Sequence, residues 1–154
     1  MTMRNIPGYF ASFGTVLWVG GTWAVGYLAV PVLFQALPDR QLAGVLAGKM
    51  FTLMAYIGIG CALYLLAYQL HQFGRLAWKQ KSFWLVAAML ILLLIGQLGI
   101  QPIMLGLKAQ AFPLDVMQSA LASQFKILHG VSSILYLLQS LLGIWLVISP
   151  QKRP

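Results

Sequence analysis

The chain has 154 residues, 60% of them apolar and 8% charged, with a formal net charge of +8. A soluble domain carries about 25% charged residues; ten Lys/Arg and two Asp/Glu cannot cover the outside of one. The basic residues flank apolar runs instead of forming one basic face, which argues against nucleic acid as a partner.

A helix needs about 20 apolar residues to cross the hydrocarbon of a bilayer. Four runs qualify, at residues 9–35, 51–71, 83–107 and 127–148. The first belongs to a charge-free stretch, residues 5–38, that contains Trp18 and Trp23. It is too long for a cleaved signal and reads as a retained span. Residues 36–50 connect it to the second run. Pro38-Asp39 in that connection reads as a helix start with Asp39 as cap. The following residues either run straight into the second span or lie along the interface. The connection at residues 72–82 carries Arg75, Lys79 and Lys81, and the one at 108–126 carries Asp115 and room for a short helix over 114–122.

Backbone polar groups cannot lie bare in lipid, and long apolar runs do not alternate as barrel strands do. The expected fold is therefore all-α: an integral membrane four-helix bundle forming a single domain, residues 1–154. An even number of spans puts both termini on one side. That side holds Arg4, Arg75, Lys79, Lys81, Lys152 and Arg153, against Arg40, Lys49, Lys108 and Lys126 on the other. The excess of positive charge predicts cytoplasmic termini, and the style of the sequence suggests a bacterial cytoplasmic membrane.

Small residues let helices approach in lipid, and Gly20/Ala24 and Gly58/Ala62 have the required spacing. Pro31 and Pro102 each remove a backbone donor and predict kinks in the first and third spans.

Polar residues inside a span should face other helices. Lys126, His129, Ser133, Tyr136 and Ser140 share one face of the fourth span, with Gln139 beside it. Gln97 and Gln101 in the third span lie at a matching depth. Two readings follow. These side chains either satisfy one another and lock the helices, or form a ligand site of His129, Gln97, Gln101, Ser133 and Tyr136 with Lys126 at its mouth. A soft metal site for copper(I) from His129, Met50, Met54 and Met104 competes with methionine as ordinary packing. Haem held by two histidines is disfavoured, because His71 and His129 end their spans on opposite sides. One histidine with Met or Tyr would be needed. Both carboxylates, Asp39 and Asp115, fall in connections, and Cys61 stands alone. Catalysis has little material here, and the sequence leaves open whether the chain is an enzyme.

Trp18-Val-Gly-Gly-Thr-Trp-Ala-Val-Gly-Tyr27, Pro31-Val-Leu-Phe34, Ala43-Gly44 and Gly48-Lys-Met-Phe51 resemble the DUF4149 group. That group includes the transmembrane protein 205-like proteins and consists of small four-helix membrane proteins. Lys126-Ile-Leu-His-Gly130 with Ser132-Ser133 resembles its C-terminal signature. A more distant resemblance is to CopD-type copper-resistance proteins and small membrane haem proteins. The resemblance implies a four-span fold and no settled activity.

Three functions remain open on the sequence. One is binding or moving a small ligand or metal ion through a polar cluster on the outer side. Another is an accessory subunit that assembles with itself, as a homodimer, or with a larger membrane complex. The last is a haem or redox protein.

Overall fold

The structure, a computed structural model, describes residues 6–149. Four helices follow in order: α1, Ile6–Ala36; α2, Arg40–Phe73; α3, Lys81–Ala111; and α4, Ala122–Ile148. Each is long and apolar enough to cross a membrane. Their outward faces carry large apolar side chains, such as Phe13, Leu53, Leu98 and Ile134. Water would penalise such a surface and lipid does not. This is a multi-pass membrane protein.

The first connection is shorter than expected. α2 begins at Arg40 and runs without a break through residues 41–50. Asp39 starts it by accepting hydrogen bonds from the backbone N–H groups of Gln41 (2.8 Å) and Leu42 (3.1 Å). Ala43 and Ala47 are buried in this added length. α2 closes at Gly74, whose φ of 52° is left-handed and suits a residue without Cβ. A 3-10 segment, Gly74–Lys79, then leads to α3. The final connection holds only a 3-10 turn, Val116–Gln118, where a longer helix over 114–122 had room to form. Asp115 caps that turn through Met117 N at 2.7 Å.

α1 packs on α2, α2 on α3, α3 on α4, and α4 back on α1. The ring is closed and its neighbours are antiparallel. One end carries the Gly74–Lys79 segment and the outer limits of α1 and α4, and is called here the terminal end. The other carries both remaining connections and is called the loop end.

Two apolar cores result. In the terminal half, Ala11, Trp18, Val19, Met54, Ala62, Leu65, Val86, Met89 and Leu146 join all four helices. In the loop half, Ile100, Met104, Leu107, Ala111, Val116 and Phe125 join only α3, α4 and their connection.

Both kinks expected at prolines have the same form. A widened π-helical turn precedes each proline: Ala24–Ala29 before Pro31, and Ile95–Ile100 before Pro102. Val30 N–H bonds to Val25 O and Gln101 N–H to Gly96 O, one residue further back than in an α-helix. A proline removes one donor from the ladder, and widening redistributes the carbonyls left over.

Candidate functional site

Contacts match the helices depth by depth. A methyl group on Gly58 of α2 would stand 2.5 Å from Trp18 Nε1 and 2.8 Å from Leu93 Cδ1. One on Gly143 of α4 would stand 3.1 Å from Val19 Cγ1 and 3.6 Å from Met89 Cε. Gly58 and Gly143 therefore seat Trp18 and Val19 on either side of α1. One turn toward the loop end, Gly21 seats Met54, whose Sδ would lie 2.6 Å from an added methyl. Gly20, by contrast, has nothing near it. The close approach uses Gly21 and Gly26 where the spacing pointed to Gly20 and Ala24.

A polar layer lies at this depth. The Tyr136 hydroxyl of α4 donates to the carbonyl of Thr22, two residues before α1's widened turn. Its ring fills the place a side chain at Gly26 would need. Ser140, one turn on, is a hub. Its hydroxyl donates to Tyr136 O at 2.8 Å and accepts from the Tyr27 hydroxyl at 3.1 Å. Its carbonyl accepts from Trp23 Nε1 at 3.3 Å. Phe51 of α2 meets Tyr136 edge to face, centroids 5.0 Å apart.

Between Tyr136 and Ser140 on the chain stands Gln139. It is 3% exposed, and neither Oε1 nor Nε2 has a hydrogen-bond partner among the described residues. Trp18 is 0% exposed and its Nε1 is likewise unpartnered there. Gln69, the other buried glutamine, accepts from Ser82 Oγ at 2.8 Å. Burying a carboxamide without a partner costs about 1–3 kcal/mol, and native structures rarely leave one so. No Asp, Glu, Lys or Arg occurs in the chain between Asn5 and Pro38, between Met50 and Gly74, between Ser82 and Leu107, or between Ile127 and Gln151. The layer is therefore free of formal charge.

The predicted site residues divide between this layer and the outside. Tyr136 belongs to the layer. Gln101 and Gln97 are half-buried, and Gln101 Nε2 reaches Thr52 Oγ1 at 3.5 Å. His129, Ser133 and Lys126 are exposed. The His129 ring stacks parallel to Phe125 at 6.1 Å, with Lys108 Nζ 5.4 Å from the same phenyl centroid. Ser133 donates back to His129 O at 2.9 Å. The stripe thus straddles the edge of α4's packed face: its loop-end members point outward and only Tyr136 and Ser140 enter. Of the predicted metal set, Met54 lies in the first core and Met104 in the second, where its sulfur accepts from Ser132. Met50 is half-buried. No group of three or more His, Cys, Asp or Glu side chains suited to a metal occurs among the described residues.

Trp18, Thr22, Tyr27 and Gln139 were not singled out as site residues by the sequence. Gln139 sits one position off the stripe. Trp18 reads like any tryptophan of an apolar helix until Gly58 is seen beneath it.

A family described as a domain of unknown function, DUF4149, matches residues 13–113, more than half the chain. The chain belongs to the DUF4149 family. No curated protein and no solved structure matches. The family match takes in α1 from Phe13, α2 and α3, with Trp18, both widened turns and both prolines. It ends before α4. Tyr136, Gln139, Ser140 and the Lys126–Gly130 sequence lie beyond it.

Proposed function

We propose that this DUF4149 protein binds a small ligand within its ring of helices, at mid-depth in a bacterial cytoplasmic membrane, and does no chemistry on it. Both termini face the cytoplasm in this reading, so the loop end faces outward. The carrying observation is the Gln139 carboxamide, buried with neither polar atom partnered among the described residues. A buried polar group without a partner calls for one, and a bound ligand supplies it. Helices interrupted near the midplane commonly border such sites.

Native mass spectrometry of protein purified in mild detergent tests this reading. Wild-type protein is expected to carry a small adduct that Gln139→Leu lacks. Identical, adduct-free spectra from both overturn it. A visible spectrum and metal content of the same samples, with His129→Ala alongside, test the metal and haem alternatives.

A second reading, an accessory subunit of a homodimer or larger membrane complex, draws on the outer half of α4. His129 is exposed there, and Gly130 has open space around it. A partner helix would cover both at low steric cost. Cross-linking in native membranes distinguishes the readings: a His129-proximal cross-link to any protein supports assembly.

A further inference from the structure

The two interrupted helices are not held alike beyond their widened turns. α3 continues through Gln101–Ala111 and buries Met104, Leu107 and Ala111 in the second core. α1 continues through Val30–Ala36 and buries nothing; the widened turn Ala24–Ala29 buries nothing either. Thirteen successive residues of α1 thus have no fully buried side chain, although they pass the polar layer. Contact between this arm and α4 is made by the Tyr136 ring at Gly26 and by polar groups at the arm's root. The polar contacts are Tyr136 to Thr22 O, Tyr27 to Ser140 Oγ, and Trp23 to Ser140 O. On its other side the arm touches α2, where Phe34 Cζ lies 4.0 Å from the position of a methyl on Gly44.

Below the layer the situation is reversed. Trp18, Val86, Met89 and Leu146 are each at most 3% exposed and close the terminal half. A polar solute has no route through that core. A route past the α1 arm would cross three hydrogen bonds and the Tyr136 ring seated at Gly26, but no fully buried apolar side chain of the arm.

We propose that the seam between the α1 arm and α4 is the path by which an uncharged solute bearing both a hydrogen-bond donor and an acceptor reaches Gln139 from the loop end, with Tyr136 as its latch. This rests on the ligand-binding reading above. The chemistry of the solute follows from the layer. A carboxamide offers an acceptor and two donors, and an indole N–H offers one donor. No charged side chain stands at that depth to compensate an ion, and an uncompensated charge would be expelled. The widened turn and Pro31 supply the hinge, because that stretch of backbone lacks a regular i→i−4 ladder. Tyr136 is suited to the latch because its ring occupies the gap at Gly26 while its hydroxyl holds the carbonyl of Thr22, two residues before the turn.

The test is thiol accessibility in sealed vesicles, in a Cys61→Ala background. Gln139→Cys and Thr22→Cys are each exposed to a small membrane-impermeant methanethiosulfonate from one side at a time. Val86→Cys, in the terminal-half core, is the control. Modification of the two layer cysteines is expected from the loop side only. Tyr136→Phe should accelerate it about tenfold, the population change that follows from losing one net hydrogen bond. Modification at the control rate, or from the terminal side, or without response to Tyr136→Phe, overturns the path. Thr22→Cys keeps the test decisive if Gln139→Cys fails to fold. The measurement needs no ligand. A closed seam in a protein that carries an adduct overturns the path alone. An open seam in a protein that carries none overturns the binding reading alone.

Discussion

The terminal and loop halves of this ring are built from the same four helices by different means. The terminal half is a shared apolar core. Trp18 of α1, Leu65 of α2, Val86 and Met89 of α3 and Leu146 of α4 are buried in it together. The loop half is divided. α3 and α4 keep a core with their connection, while the arm of α1 contributes no buried residue and meets α4 through the Tyr136 ring at Gly26 and hydroxyl and indole groups at its root. In lipid, apolar side chains gain nothing merely by leaving the solvent, so dense packing decides where helices stay together. The terminal half has that density and the loop half has it only on one side.

The comparison breaks most readily at Trp18. Trp18→Ala removes the largest fully buried side chain and should destabilise the protein by about 3–5 kcal/mol, measured by reversible unfolding in mixed micelles. A loss below 1 kcal/mol would mean that the terminal half is not the rigid one. Gly58→Ala should cost about 1–3 kcal/mol in the same assay, because the added methyl overlaps both Trp18 and Leu93. Gly20→Ala, with open space around it, is the matched control and should be near neutral.

Gln139→Leu should shift stability the other way in ligand-free protein. It removes a buried carboxamide that has no partner among the described residues and should stabilise by about 1–3 kcal/mol. An equal loss instead would show that Gln139 is hydrogen-bonded in the working protein. Tyr136→Phe should cost about 1 kcal/mol globally while raising amide exchange selectively over residues 24–36. Uniform exchange along α1 would remove the distinction between arm and root. The smallest expected effect belongs to His129→Ala, within about half a kcal/mol, since that ring is exposed. A larger loss would favour the assembly reading.

Much of the architecture was legible in the sequence because lipid imposes simple rules. Four apolar runs had to be helices, and Pro31 and Pro102 had to interrupt two of them. The start of α2 was half legible. Asp39 announced its cap, but whether residues 41–50 joined the span depended on Ala43 and Ala47 finding cover. The candidate site was less legible. Helical spacing put His129, Ser133, Tyr136 and Ser140 on one stripe, yet it could not say where the packed face ended. That edge falls between Ser133 and Tyr136, leaving His129 outside and drawing Gln139 in.

Composition and the length of the apolar runs by themselves determined that this chain lives in a membrane, how many times it can cross, and where its helices are interrupted. These are local properties, set by transfer of backbone and side chains from water to hydrocarbon. Only the tertiary structure decided which glycines are seats, which proline-broken arm is docked, and which buried glutamine lacks a partner among the described residues. Those depend on the rotation of each helix about its axis, and a rotation of one residue, about 100°, exchanges a buried side chain for an exposed one.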